Sequence, residues 1–342
     1  MKKNGKIKFA VVGCGHIGKR HATMILNNKE CELVGVADTA LPGNIKIDNY
    51  KGPWFTSIDE LLNAGIEFDV LCIATPNGFH EEHALKGLKA GHHVVIEKPM
   101  ALTKAGCEKI IYEALHRHKQ VFCVMQNRYS PPSVWLKQLL LNNVLGNIYL
   151  VQINCYWNRD ERYYTHDTWH GTKELDGGTL FTQFSHFIDI MFWLFGDIQN
   201  IKASLHNFNH KNLTEFEDSG FVNFDFVKEG IGSINYSTSC WNENLESTIT
   251  IIAEKGTVKV GGQYMNEVQV CNIRDYKMPK LAPSNPPNDY GAYKGSAANH
   301  HYIFENVVDV LKGRAPITTN AIEGLKVVEI IEKIYACKNN SL

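Results

Sequence analysis

Three short stretches of this chain hold the residues best suited to do chemistry. The first is Val11-Val12-Gly13-Cys14-Gly15-His16-Ile17-Gly18, a GxGxxG pattern at the end of an apolar run. In such a loop the first glycine permits a tight turn and the second lets backbone approach a pyrophosphate. The third allows strand and helix to pack closely. A helix opening at His16 and Ile17 turns free N–H groups and a partial positive charge toward that anion. Asp38 closes the next apolar run about 20 residues on, where an acid can hold a ribose diol and repel a 2′-phosphate. The pattern asks for NAD as cofactor rather than NADP. The second stretch is Ala74-Thr75-Pro76-Asn77, with His80 opening the segment behind it. Thr75, Pro76, Asn77 and His80 are expected beside the cofactor, although Asn77 could equally cap the following helix.

The third stretch, Val94 to Pro99, ends an apolar strand on Glu97 and Lys98 and then fixes the backbone with proline. Lys98 falls on the same rim as the glycine loop, near the expected nicotinamide, with Glu97 beside it. Far downstream, His186 lies in an apolar helical segment, Gln183-Phe184-Ser185-His186-Phe187-Ile188-Asp189. Oxidising a carbinol needs a base for the hydroxyl proton while hydride leaves, and histidine titrates near neutral pH. Lys98 can donate to the reacting oxygen and stabilise its developing charge. Asp189 reads as a structural partner that orients the helix carrying His186.

These groups need a scaffold. The chain has 342 residues, enough for two domains of ordinary size. Over the first ~125 residues, apolar runs (KIKFAVV, ELVGVAD, FDVLCIAT, HVVIE, VFCVMQ) alternate with helical spacing, which predicts βαβ units on a parallel sheet. A helix over about 133–143, a long strand IYLVQINCYW and an apolar helix from Gly178 to Leu194 follow. IKASLHNF, SGFVNFDF, IGSINYST, STITIIAE and GTVKVGG then alternate as strands of a mostly antiparallel sheet. The expected fold class is therefore α/β plus α+β. A Rossmann domain spans 1–126, and a sheet domain spans 127–342, whose last two helices (Asn299–Leu311 and Ala321–Ala336) pack back on the body. Met278–Asn288, with four prolines, reads as a loop.

Several function classes fall away. Lys plus Arg (35) balance Asp plus Glu (36), so no basic field points to nucleic acid or an anionic membrane. The longest apolar region, 180–195, is broken by Thr182, Gln183, Ser185, His186 and Asp189 and is no membrane span. The apolar run Phe9 to Val12 is too short for a secretory leader, and the nine cysteines form no CxxC pair; reduced thiols and a cytoplasmic location are expected. The pairs His92-His93 and His300-His301 point apart on regular elements, without an acid or cysteine cluster, so no metal is expected.

GxGxxG, ATPNxxH, EKP and a later helical histidine together resemble the glucose–fructose oxidoreductase, inositol dehydrogenase and rhizopine-catabolism (Gfo/Idh/MocA) oxidoreductases along essentially the whole chain. The resemblance implies a Rossmann domain, an antiparallel sheet domain and substrate in the cleft between them, with Lys98 and His186 catalytic. Many relatives carry Asp four residues before that histidine; here the position is Thr182. Residues four apart share a helix face, so Thr182 is expected to line the site as a neutral hydrogen-bonding group.

The substrate is addressed by Tyr156 to Gly178, YWNRDERYYTHDTWHGTKELDGG, dense in aromatics with Arg159 and Arg162. Such a strip can stack on a sugar or base and fork onto a carboxylate or phosphate. It could equally pack on the domain or form a subunit contact. Its WHGT, DGG and QxSHxxD motifs are similar to the branch that oxidises UDP-N-acetylglucosaminuronic acid at C3 for bacterial surface polysaccharides, although His170 stands where arginine is expected. The candidate substrate contacts are Lys98, Arg128, Arg159, Tyr163, Tyr164, Trp169, Thr182, Gln183, His186 and Asn299. Arg128, from Gln-Asn-Arg-Tyr, is a carboxylate ligand or a structural ion pair. Asn299 ends Gly295-Ser296-Ala297-Ala298, a turn into a helix whose N–H groups could take a nucleotide phosphate. The resemblance also implies a homo-oligomer, dimer or tetramer. Two alternatives stand beside this reading: oxidation of a free sugar or polyol such as inositol, and a non-catalytic NAD-binding regulator.

Overall fold

The computed structural model describes residues 5–40, 43, 45–165, 168–291 and 293–337. They form two compact units, one drawn from residues up to 125 together with 300–328, the other from 126–299 and from 329 onward. The first unit is built on a six-stranded parallel sheet: β1 (Ile7–Val12), β2 (Cys31–Ala37), β3 (Trp54–Phe55), β4 (Val70–Ile73), β5 (His93–Ile96) and β6 (Val121–Cys123), in the order β3-β2-β1-β4-β5-β6. Helices α1 (His16–Asn27), α2 (Ile58–Asn63), α3 (His80–Lys89) and α4 (Lys104–His116) supply the crossovers. Every residue of β4 and β5 is buried, which is why these strands read as unbroken apolar runs rather than alternating ones. Two helix starts are written in the sequence: Ser57 accepts from Glu60 N and Thr103 from Gly106 N.

The second unit begins with α5 (Pro131–Leu141) and β7 (Ile148–Tyr156). A π-helical turn, Leu180–Phe184, then runs into α6 (Ser185–Phe195), so the single apolar helix expected from Gly178 starts with a wider turn. The strands β8 (Ile198–His206), β9 (Ser219–Phe226), β10 (Ile231–Ser237), β11 (Glu246–Ala253), β12 (Gly256–Gly261) and β13 (Glu267–Ile273) complete a seven-stranded sheet. Its order is β13-β12-β11-β7-β10-β9-β8, antiparallel except where β10 joins β7. Phe187 against Trp157 (5.8 Å), Phe184 against Tyr236 (5.5 Å) and Phe195 against Phe226 (5.3 Å) pack the π turn and α6 onto one side of the sheet. On the other side Leu150, Ile231 and Ile252 lie in register on three neighbouring strands and are exposed. A small ribbon, β14 (Pro287–Asp289) with β15 (Lys294–Ala297), takes up residues expected as loop and as helix entrance.

The chain then returns to the first unit through α7 (His300–Leu311), whose Phe304 packs edge-on against Phe9 (5.9 Å) and His21 (5.1 Å). Cys123 N donates to Thr319 O beyond the last sheet strand, and the final helix is α8 (Ala321–Ala336). No described helix is long and apolar enough to cross a membrane.

Candidate active site

In the first unit the strand order reverses between β1 and β4, and ligands of open parallel sheets bind outside the strand ends at that point. Gly13 has φ of +83°, and a Cβ there would lie 2.6 Å from Ala74 O. A Cβ on Gly18 would sit 1.7 Å from the Gly13 carbonyl oxygen. The protein's own backbone therefore demands the first and third glycines. Gly15 differs: nothing lies within 4 Å of where its Cβ would be. It opens α1 as the N-cap, and that open space is the room a pyrophosphate needs against free helix N–H groups. Asp38 Oδ2 accepts from Cys14 N (2.5 Å) and Oδ1 from Ala40 N (2.8 Å), which ties the end of β2 to the glycine loop. A carboxylate has further lone pairs for a ribose diol, so these residues fit a dinucleotide. Burial, and then the charge of Asp38, push the Cys14 thiol up to about 12, so the loop's cysteine is no nucleophile.

The other rim residues divide into exposed and interior groups. Lys98 is half-buried just after β5, and His16 is exposed at the head of α1 with Ile17 half-buried beside it. Asn77 is buried at the start of a 3₁₀ turn, Asn77–Phe79, and Thr75 Oγ1 lies 3.1 Å from His83 Nδ1. Two expected cofactor contacts turn inward instead. His80 is fully buried, with Nδ1 2.6 Å from Pro99 O and Nε2 2.9 Å from Thr75 O, so it staples two rim loops together. The Glu97 carboxylate points into the unit, with Oε1 2.9 Å from His21 Nε2 and 3.6 Å from His300 Nε2. Its Oε2 accepts from Lys98 N at 3.3 Å, so Glu97 steadies the backbone of the lysine.

This buried cluster sets an acid limit on the first unit. At Glu97 burial, which raises a carboxyl, is outweighed chiefly by the hydrogen bond from His21, and the group falls to about 2. Burial holds His300 down to about 3. Both shifts make the unfolded chain the better proton acceptor, so stability declines as pH falls. The decline begins below about 6.5, where an unfolded histidine takes the proton that His300 refuses until about 3. It continues below about 4.5, where unfolded glutamate takes the one that Glu97 refuses until about 2. In urea titrations His300→Gln is expected to flatten stability against pH between about 6 and 4. The change is one proton's worth, about 1.4 kcal/mol per pH unit. An unchanged slope would mean that folded His300 is already charged.

In the second unit His186 sits in the first turn of α6 and is buried. Gln126 Nε2 lies 3.4 Å from His186 Nε2. An amide nitrogen only donates, so in this arrangement the imidazole nitrogen accepts, the state of a base before it takes a proton. Gln126 Oε1 is buried with no partner among the described residues, and half a turn of the amide would offer that oxygen to a protonated Nε2. Thr182 is nearly buried, and its hydroxyl donates to the Asp176 carboxylate and, at 3.1 Å, to the Asp176 carbonyl. Gln126 and Asp176 were not among the expected site residues. Their only sequence signals are a glutamine ahead of Asn127-Arg128 and an acid ahead of Gly177-Gly178.

Several expected substrate contacts are committed to the protein itself. Arg128 donates from Nε (2.9 Å) and Nη2 (2.5 Å) to Asp189, a buried bidentate pair, the structural ion pair that was one of its two expected roles. Asn299 is buried, donating to Ser130 Oγ (3.0 Å) and Gln126 O (3.3 Å) and accepting from Asn285 (2.7 Å); strand β15 precedes it and α7 opens directly after it at His300. Arg159, 2% exposed, donates to Gln183 Oε1 (2.8 Å), Asn158 O, Asn244 Oδ1 and Lys294 O. Its guanidinium lies 4.8–5.3 Å from the ring centres of Trp157, Tyr293 and Tyr163. Gln183 Nε2 donates to Tyr163 OH (2.8 Å), and Tyr163 and Tyr164 pack with Phe216. The aromatic strip is thus a cage around one cation, with no carboxylate among the described residues in salt-bridge reach of it. Arg162 is held by Asp160, and half-buried Trp169 packs at a tilt against His170, ring centres 3.9 Å apart. His166 and Asp167 of the strip lie outside the described residues.

Comparison with known proteins follows this division of the chain. A family model described as an oxidoreductase family with an NAD-binding Rossmann fold matches residues 7–125, and one described as the GFO/IDH/MocA C-terminal domain matches 134–259. Among solved structures, the chain is similar to the WlbA dehydrogenase from Bordetella pertussis in complex with NADH and UDP-GlcNAcA: 30% identity, TM-score 0.85, 98% of each chain covered. Glucose-6-phosphate 3-dehydrogenase of Bacillus subtilis (strain 168) is 27% identical over 303 residues, 84% of this chain and 85% of that protein. An inositol 2-dehydrogenase/D-chiro-inositol 3-dehydrogenase of Halalkalibacterium halodurans is 26% identical over 236 residues, 66% of this chain and 63% of that protein.

Proposed function

Because this chain belongs to the GFO/IDH/MocA oxidoreductase family, we propose that it is an NAD-dependent dehydrogenase oxidising a ring hydroxyl of an anionic sugar to a ketone. The substrate proposed is UDP-N-acetylglucosaminuronic acid, oxidised at C3, in bacterial surface-polysaccharide synthesis in the cytoplasm. The similarity to a chain crystallised with NADH and that sugar nucleotide supports this choice.

When bound, NAD supplies the hydride acceptor. The open side of Gly15 and the head of α1 receive its pyrophosphate, and Asp38 holds its ribose hydroxyls. Lys98 donates to the carbinol oxygen and stabilises the charge that grows there. His186 takes the hydroxyl proton, and Gln126 turns its amide to match the imidazole.

The observation that carries an anionic sugar nucleotide over a neutral polyol is the extent of that similarity, which runs along 98% of the chain at a TM-score of 0.85. We also assign the exposed row Leu150, Ile231 and Ile252 to the contact of a homo-oligomer, since a soluble sheet face of this kind is otherwise left apolar.

NAD-loaded protein is tested by calorimetry and by absorbance of reduced cofactor with UDP-N-acetylglucosaminuronic acid, UDP, glucose 6-phosphate and myo-inositol. Binding and reduction with the first, and none with myo-inositol, are expected. Oxidation of glucose 6-phosphate without UDP binding would keep the anionic sugar and remove the nucleotide. Oxidation of myo-inositol alone would overturn both.

A further inference from the structure

We propose that Tyr335 and Arg159 are positioning residues: they grip the two ends of the π-helical turn Leu180–Phe184 and so fix the direction in which α6 presents His186. The inference deepens the dehydrogenase reading and rests on it, but it does not depend on which sugar is oxidised. Every residue it uses belongs to the second unit. A π turn closes its hydrogen bonds one residue later than an α-helix does, and such turns are rare outside functional sites. His186 follows this one directly, in the first turn of α6. One residue is about 100° of helix rotation, so tightening the turn to α geometry would swing His186 by that angle against the segment before it.

The first grip is at the head of the turn. The first N–H groups of a helix have no partner within it, and Thr179 supplies no side-chain cap here. Instead Leu180 N donates to the Tyr335 hydroxyl at 3.1 Å, and that hydroxyl donates to Glu217 Oε1 at 2.7 Å. The cap thus comes from the last turn of α8, 155 positions downstream. Gly178 makes the approach possible: its φ is +138°, and a Cβ there would collide with the Tyr335 hydroxyl. The second grip is on Gln183, whose Oε1 accepts from Arg159 Nε and whose Nε2 donates to Tyr163 OH, both at 2.8 Å. The other guanidinium nitrogens donate to Asn158 O, Asn244 Oδ1 and Lys294 O, between the rings of Trp157, Tyr163 and Tyr293. A fork fixed at every nitrogen holds the amide it meets in one orientation. The task of this buried cation is therefore one of geometry, which a flexible point charge cannot perform.

The test measures single-turnover reduction of NAD, with whichever sugar of the panel above wild type oxidises fastest, and amide hydrogen exchange without substrate. The variants are Tyr335→Phe, Arg159→Lys, Gln183→Leu and Gln183→Glu. The first three are expected to lower the saturated rate by about tenfold to a hundredfold, the scale of a misplaced reacting group, with NAD affinity unchanged. Gln183→Glu should recover most of what leucine loses, since a carboxylate accepts from both Arg159 and Tyr163. Arg159→Lys and Gln183→Leu together should be no slower than the slower of the two, because both break one contact. In Tyr335→Phe the Leu180 amide should exchange faster. A saturated rate equal to wild type in Tyr335→Phe or Arg159→Lys overturns that residue's assignment, and leucine equal to glutamate at position 183 overturns the second grip. Arg159→Lys that raises KM and spares the saturated rate overturns it too, and makes Arg159 a ligand for substrate charge. If Arg159→Lys does not fold, the contrast at position 183 decides in its place. If wild type reduces NAD with no sugar, the dehydrogenase reading falls on its own. The first grip is then judged by exchange, and a Leu180 amide equally protected in Tyr335→Phe overturns it.

Discussion

Replacing His186 with asparagine is expected to lower kcat by about 10²–10⁴, the usual contribution of a positioned general base. Asparagine keeps a donor and an acceptor of similar reach but cannot take a proton near neutral pH. Binding of NAD should be unaffected, because the glycine loop, Asp38 and the Thr75 loop all belong to the first unit. The measurement is single-turnover reduction of NAD beside a fluorescence titration of NAD itself. The wild-type rate should fall on the acid side with the protonation of a base, and that limb should vanish in the variant. A kcat within a few-fold of wild type would remove His186 from the reaction and move the base elsewhere.

The second large effect is on stability. Arg128→Met leaves Asp189 as a buried carboxylate without its bidentate partner, and breaking a buried pair from one side costs about 3–5 kcal/mol. Urea unfolding should show that loss. Arg128→Met combined with Asp189→Leu should recover most of it, because removing both charges also removes their desolvation cost. Activity is expected to drop in the single variant as well. Arg128 is two residues after Gln126 and Asp189 three after His186, so the pair holds the amide and the imidazole to each other. A single variant as stable as wild type would mean that Asp189 is neutralised by another group.

What could be read in advance follows from what each signal measures. Apolar runs report burial, so five of the six strands of the first sheet and β7 to β12 of the second were legible; β3, with only two residues, leaves no periodic trace. β13 and the ribbon β14–β15 were missed because exposed or proline-bearing edge strands resemble loops. The π-helical turn before α6 was invisible because it changes the hydrogen-bond step and not the hydrophobicity. Residue type singles out the glycines, Asp38, Lys98 and His186 as candidates, but carries no side-chain direction. Arg128, Asn299, Glu97 and His80 have the chemistry of ligand contacts and are spent on internal partners. Asp176 presents the reverse case, since only the turn at two glycines reveals which hydroxyl it meets.

The interrupted course of the first unit has a consequence for how the protein is made. The sheet from β1 to β6 leaves the ribosome early, yet Phe9 and His21 meet Phe304, and Cys123 is bonded by Thr319, only after the whole second sheet has been synthesised. A nascent chain must therefore carry a nearly formed nucleotide-binding sheet with part of its apolar surface uncovered while a second domain emerges. Closing that long loop sets the order of events: the later sheet can collapse locally, and the earlier one is sealed last.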